Sequence, residues 1–583
     1  MQENVKENVK GKKCELLSKK YIPLYIGYVL LTFLVFYFAL PVLSFRNPGF
    51  YFFLMVVLSL PVGIIYTLIM KKKETSDTRV EVEGFEYDKK SGKFKKTKKA
   101  ISTKYDTDTL LIKATIGLVA SIVIIVIVFS LFGLKIFNAK AYSNQLEITQ
   151  GDSEDLNTIF DYDSGEVLLP RIDKDLAFKL AEARLDEYGS QYSIDYDNFT
   201  LISVNRNGTT ELIRVTPLEY ATPFVALSRG AKGTIGYIEV NVITQEARLV
   251  EYADGEGLKY MPTAIFNYDL DRHIRFKYPS LMYQNKYFEI DNEGNPYWVV
   301  PTIKKEIGIF QGTTPRGVLV VDPRSGDMNH YDLGDSSKPE WLQRAIDESV
   351  VAEQANNALT YKNGFWNTLF AKKEVFQFSD GYNYFIKGGN TYYVSCITSP
   401  NSNDQTSIGF LIINLKTKES VRYSNPGITE MRAREIAQYD ERVKAQELDS
   451  TWPILITYHK VPTYFVVLKN EVLAQKIVLI NVEDGTLVAM GNNLEEAKQE
   501  YESLLANKGI ISSTPEDKVT VNVTKVRDLG DKIQFMTIEY PDVYFEVDIN
   551  ISLDARFLSV GDTIEITFKE NVGYNLVLTL EAK

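Results

Sequence analysis

Four stretches of one chain decide how the rest of it is read. Gly236 opens GYIEVNVITQEARLV (236–250), Gly317 opens GVLVVDPRSGDMNHY (317–331), Gly409 opens GFLIINLKTKESVRY (409–423) and Lys476 opens KIVLINVEDGTLVAM (476–490). Aligned without gaps, each has four mostly apolar residues, then Asn241, Asp322, Asn414 or Asn481, then, three residues on, Thr244, Ser325, Thr417 or Asp484. An apolar run, an Asx residue and a small polar residue describe a strand, a tight turn and a return strand. The Asx side chain bonds the turn backbone, and Gly326 and Gly485 are placed to supply a left-handed residue.

Working outward, each hairpin is preceded by strand-like segments: Leu201 to Val215, Tyr287 to Val300, Val375 to Thr398 and Trp452 to Leu468. Before these come segments with helical periodicity and capping residues, Asp173 to Tyr188, Asp271 to Tyr283, Glu340 to Ala358 and Thr429 to Leu448. The repeated unit is therefore expected to be a helix followed by an antiparallel sheet of three or four strands. The Asx positions stand 81, 92 and 67 residues apart, so the copies differ by loop insertions. After a last helix, Leu494 to Ala506, the chain turns to short, evenly spaced strands from Asp517 to Lys583, similar to a small OB-like barrel.

A helix followed by strands ending in this hairpin resembles the PepSY family, over roughly residues 171 to 492. In two copies the turn glycine is replaced, by Gln245 and Lys418. The resemblance implies a module without chemistry of its own that binds a protein, often inhibiting or stabilising a peptidase or a cell-wall hydrolase.

The first quarter contrasts with this. Tyr21 to Leu43 and Tyr51 to Met70 contain no Asp, Glu, Lys or Arg, and Leu110 to Phe137 carries only Lys113 and Lys135. Each run is about the length of 20 residues that a bilayer core requires, so composition predicts three transmembrane helices. Residues 1–20 carry a net charge of +3 and 71–109 of +4, which predicts that both are cytoplasmic and that everything after Phe137 lies outside. Lys89, Lys90, Lys93, Lys95, Lys96, Lys98 and Lys99 (within KKSGKFKKTKK) are then expected to touch anionic lipid at the membrane surface.

Of the overall net charge of -11, the part after Phe137 then holds about -21, which argues against nucleic acid as a partner. Cys14 and Cys396 would face opposite sides of the membrane and could not pair; a large exterior with one cysteine suits a bacterial surface.

The expected organisation is a cytoplasmic N-terminus (1–20), two spans (21–70), a basic loop (71–109), a third span (110–137), four PepSY-like repeats (138–265, 266–336, 337–427 and 428–510) and a C-terminal β module (517–583). The fold class is membrane-anchored α+β in a multi-pass protein of the cell membrane. No zinc pattern links His273, His330 and His459, and there is no nucleophile elbow, P-loop or dinucleotide fingerprint, so neither an enzyme nor a cofactor is expected. Tyr382, Tyr384, Tyr392 and Tyr393 crowd one hairpin and offer a partner surface, if they are not simply cross-strand pairs. Together these features point to a scaffold touching the lipid bilayer and a protein partner in the envelope. The other reading is a structural subunit of a secretion, conjugation or wall-synthesis complex.

Overall fold

The computed structural model describes residues 22–59, 80–88, 93–101, 107–165, 167–185, 188–400, 406–470, 473–511, 519–549, 551–571 and 574–583. Two compact bodies divide the chain, Met1–Val488 and Ala489–Lys583.

The three expected spans are overturned. Among the described residues no single helix is long and apolar enough to cross a membrane. The first apolar run forms a helix, Ile22–Ala39, that stops where Leu40 takes a φ of 45° ahead of Pro41. In the second run the described helix is Pro48–Ser59, and residues 60–70 lie outside the description. The third yields Thr107–Leu131, whose apolar part, Thr115–Leu131, reaches a span's length and hydropathy only together with Lys135–Ser143, across a 52° bend.

The multi-pass assignment and the inside–outside topology fall with the spans. Lys89 and Lys90 lie outside the described residues. The other five lysines sit on Lys93–Ile101, the second strand of a hairpin with Val80–Asp88; the register places Glu83 opposite Lys98, Glu86 opposite Lys95 and Asp88 opposite Lys93.

What the repeat motif builds is one topology used four times. In the first module the helix α1 (Lys174–Arg184) precedes β1 (Tyr192–Ile194), β2 (Thr200–Arg206), β3 (Thr209–Tyr220), β4 (Gly236–Asn241) and β5 (Ala247–Glu251). The second has α2 (Leu270–Lys277), β6 (Met282–Tyr283), β7 (Tyr287–Ile290), β8 (Pro296–Ile307), β9 (Gln311–Val321) and β10 (Met328–Asp332). The third has α3 (Glu348–Tyr361), β11 (Gln377–Phe378), β12 (Asn383–Lys387), β13 (Asn390–Thr398), β14 (Gly409–Asn414) and β15 (Ser420–Tyr423). The fourth has α4 (Glu430–Gln438), β16 (Asp449–Ser450), β17 (Ile454–Tyr458), β18 (Val461–Lys469) and β19 (Ala474–Asn481).

Each helix starts on a side-chain cap, Asp173, Asp269, Asp347 or Thr429, whose oxygen accepts a first-turn N–H. In every module the first two strands share one edge of the long third strand, so the outer edge is split. In the first module β2 lies against Thr209–Val215 and β1 against Leu218–Tyr220. The break is an Asx turn, in which Asp195 accepts from Asn198 N at 3.1 Å.

The four turns are built alike. Asn241 Oδ1 accepts from Ile243 N and Thr244 N, both at 2.9 Å, and Asp322 from Arg324 N at 2.7 Å and Ser325 N at 3.2 Å. Asn414 accepts from Lys416 N at 2.8 Å and Thr417 N at 3.2 Å, and Asn481 from Glu483 N at 2.9 Å and Asp484 N at 2.7 Å. Gln245, Gly326 and Lys418 follow with φ of 65°, 81° and 72°. The fourth turn is one residue longer, since Asn481 N reaches Leu487 O, and Gly485 is not left-handed as expected.

Gln245 thus pays a steric cost that glycine avoids. Gln245→Gly is expected to raise stability by about 0.5 to 1 kcal/mol, measured as an upward shift in the urea midpoint.

The hairpin strands read as continuous apolar runs because both faces of a sheet are buried. In the second module Phe288, Trp298, Val300, Leu319 and Val321 enter a core shared with the first module, while Val299, Val318 and Val320 enter one with α3 and the third module's sheet. Modules and helices therefore stack face to face. The body from Ala489 holds a capped helix, Leu494–Asn507, and a closed barrel of β20 (Val519–Asp528), β21 (Lys532–Thr537), β22 (Phe545–Asp548), β23 (Thr563–Asn571) and β24 (Tyr574–Ala582). The barrel closes in parallel between β22 and β24, around Val521, Phe535, Phe545, Val547 and Ile566.

Candidate functional site

The first and fourth modules meet across a cleft of about 580 Å³, within the range of ligand-binding pockets. One wall is a stripe of α1. Asp175, Phe178, Lys179 and Glu182 stand at i, i+3, i+4 and i+7, so helical periodicity turns all four to one side. Tyr196, from the loop between β1 and β2, closes one end with its ring edge-on to Phe178 at 5.2 Å. Glu447, Asp449, Lys469 and Asn470 of the fourth module form the other wall. Glu447 holds a φ of 49°, and Asp449 pairs with Lys469 in the register of β16 and β18.

An ion pair joins the two walls. Lys469, only 9% exposed, bonds the Asp173 carboxylate that caps α1 and lies 3.6 Å from Asp175. The Tyr196 hydroxyl also donates to Asp175. That hydrogen bond and Lys469 hold the Asp175 carboxyl below its usual range, against a partial burial that opposes them. The Tyr196 phenol, bonded to the carboxylate, is pushed up to about 12. Lys174 lies 4.3 Å over the Tyr196 ring, its ammonium lowered by burial and then by Arg214. With four carboxylates against two lysines, the lining favours a cationic guest with an apolar part for Phe178 and Tyr196.

A buried polar network joins the first three modules. Arg344, 4% exposed, pairs with Glu348 at 3.1 Å and lies over the rings of Tyr384 at 4.4 Å and Tyr287 at 5.3 Å. The Tyr384 hydroxyl donates to Glu348. Glu289 is fully buried; one oxygen accepts from Gln343 N at 3.3 Å, and burial, partly offset by Arg344, lifts its carboxyl to about 7. The Gln343 side chain bonds the backbone of Ser203, accepting from its N–H at 3.0 Å, and so ties the linker before α3 to the first module.

The tyrosines expected on a partner surface are largely used in packing. Tyr384 and Tyr393 face each other across β12 and β13, and Tyr393 is 5% exposed. Tyr392 is half-buried beside Phe385, and Tyr382, 43% exposed, stacks on Tyr393 at 5.0 Å. His273 Nε2 lies 2.8 Å from Gly326 O and His330 Nε2 3.0 Å from Thr302 Oγ1, both on structural partners. Cys396 is buried with its Sγ 2.9 Å from the Tyr464 hydroxyl, and burial pushes the thiol well up. Among the described residues no group of three His, Cys, Asp or Glu is set to hold a metal ion.

No family model matches the chain, and no curated protein matches it. Among solved structures it is similar to two variants of the Synechocystis apocarotenoid oxygenase, each at 7% identity and a TM-score of 0.16, covering 51% of this chain and 60% of theirs. The match thus spans about three fifths of those chains, and a TM-score so low establishes no common fold.

The cleft is absent from the sequence reading. Its walls come from residues that lie 296 positions apart at the Lys469–Asp173 pair. One signal was local: the stripe of Asp175, Phe178, Lys179 and Glu182 leaves a helix face neither wholly apolar nor wholly charged.

Proposed function

We propose that the chain is a non-enzymatic binding protein whose cleft between the first and fourth modules takes an extended, cationic segment of a protein partner. The observation that carries this reading is the lining itself, an aromatic pair set among four carboxylates, in a groove whose described wall includes no Ser, Thr, Cys or His. The carboxylates have positioning partners rather than a nucleophile to activate: Asp175 is held by Tyr196 and Lys469, and Asp449 accepts from Gln438 Nε2 at 2.8 Å. The resemblance of the modules to PepSY units favours a peptidase or hydrolase as the partner restrained or stabilised.

The test is a titration of the full chain with pentalysine and with pentaglutamate. Glu182 and Glu447 are both exposed, so their reversal spares the core. Pentalysine is expected to bind saturably and more weakly at higher ionic strength, and Glu182→Lys with Glu447→Lys to lower its affinity about tenfold or more. Equal affinity for the two peptides, or indifference to the double reversal, contradicts the reading.

A further inference from the structure

The third module carries a strand that the repeat does not supply. Thr149–Gly151, which precedes the first module in the chain, pairs in parallel with β15, with Thr149 opposite Val421, Gln150 opposite Arg422 and Gly151 opposite Tyr423. Side chains help hold it: Thr149 Oγ1 donates to Ser420 O at 3.2 Å and Gln150 Nε2 to Ser424 Oγ at 3.1 Å. The fit is close, since a Cβ on Gly151 would stand 2.3 Å from the Tyr423 ring.

Counted from the turn Asx residue, Ser420, Arg422 and Ser424 correspond to Met328, His330 and Asp332 in the second module and to Ala247, Leu249 and Glu251 in the first. In the second, Lys277 Nζ already occupies the Met328 carbonyl at 3.2 Å.

The first module differs. Asn241 N donates to Glu246 O at 2.9 Å and Tyr252 N to Ile235 O at 2.8 Å. Antiparallel alternation between those two bonds turns the backbone groups of Arg248 and Val250 toward β4 and those of Ala247, Leu249 and Glu251 away from it. No strand among the described residues pairs with that outward edge. An edge with unmatched N–H and C=O groups is a template for a further strand.

We propose that β5 is a strand-addition site, taking an extended peptide segment of a partner protein parallel to β5 in the register that Thr149–Gly151 adopts on β15. Main-chain hydrogen bonds supply the affinity in this mode and side chains the selectivity. Val250 stands where β15 has Tyr423, so the incoming strand can carry a side chain where the chain's own strand carries Gly151. Glu246 and Glu251, both exposed, flank the edge and select basic residues at the ends of the segment. None of these residues lines the cleft, so the two surfaces are tested separately.

The probe is a labelled peptide with the sequence of residues 146–151, LEITQG, and one lysine added at each end, titrated into the full chain. The expected results are saturable binding, an amide at Leu249 that exchanges fast in the free chain and at least tenfold more slowly with peptide, and a tenfold or greater loss of affinity in Leu249→Pro but not in Leu249→Ala. Proline is tolerated where an edge N–H points outward. As a control independent of the fold, the same peptide N-methylated at alternate amides should not bind. Absence of saturable binding, a Leu249 amide already protected in the free chain, affinity unchanged in Leu249→Pro or by N-methylation, or protection lost at Arg422 with none gained at Leu249 would each overturn the proposal.

Discussion

Arg344→Ala is expected to destabilise the N-terminal body by about 3 to 5 kcal/mol, the cost of removing one partner from a buried ion pair. The guanidinium is 4% exposed, pairs with Glu348 and covers the rings of Tyr384 and Tyr287. Without it, Glu348 keeps its bond from Tyr384 but loses its counter-charge, and Glu289 loses the cation that offsets its burial. Arg344→Lys should recover only part of the loss, because an ammonium cannot stack on two rings and pair with a carboxylate as a planar fork does. Urea unfolding reads the effect; a change below about 1 kcal/mol would place the network outside the forces that join the modules.

Glu289→Gln is expected to act in the opposite direction and to depend on pH. Burial raises the Glu289 carboxyl from 4.5 to about 7, so the folded state favours the protonated form. The sign follows from linkage. Wild-type stability is fully present below the unfolded pKa and is lost as pH rises toward 7, and at about 1.4 kcal/mol per unit the loss approaches 3 kcal/mol at neutral pH. The amide has no proton to lose, so the variant should match wild type near pH 4 and exceed it by up to about 3 kcal/mol at pH 7 to 8. Unfolding midpoints measured across that range test this; parallel curves would show that Glu289 is not held protonated. Since Arg344 and Glu289 interact, the two substitutions should not be additive.

What could be read in the sequence was local. The Asx turns are legible because Asn241, Asp322, Asn414 and Asn481 each bond N–H groups two and three residues ahead, inside the motif. Two helix starts are legible for the same reason, through the capping side chains of Asp173 and Thr429; in the second and third modules the caps are Asp269 and Asp347, not the expected starts at Asp271 and Glu340. The left-handed residue was misplaced in the fourth turn because one extra residue, invisible as spacing, moves Gly485 out of that conformation.

Apolar runs misled in a different way. Composition counts residues but not the stop at Leu40 or the bend before Lys135, and it does not see that Phe276 of the second module packs against Phe33, Phe36 and Tyr37 of the first helix. The tyrosines of the third module are used within it: Tyr384 and Phe385 face Tyr393 and Tyr392 across β12 and β13, and Tyr382 stacks on Tyr393, the cross-strand alternative that their crowding had left open. The cleft was out of reach because it forms only where Lys469 meets Asp173 and Asp175.

If the groove between the first and fourth modules holds a guest, a crosslinker carried by that guest will mark the residues lining it. A pentalysine peptide carrying a diazirine, photolysed on the full chain and mapped by mass spectrometry, is predicted to mark Phe178, Tyr196 and Asn470, with the marks lost in the Glu182→Lys, Glu447→Lys double variant. Marks spread over the acidic surface in proportion to exposure, and unchanged by that variant, would show that the groove is not the binding site.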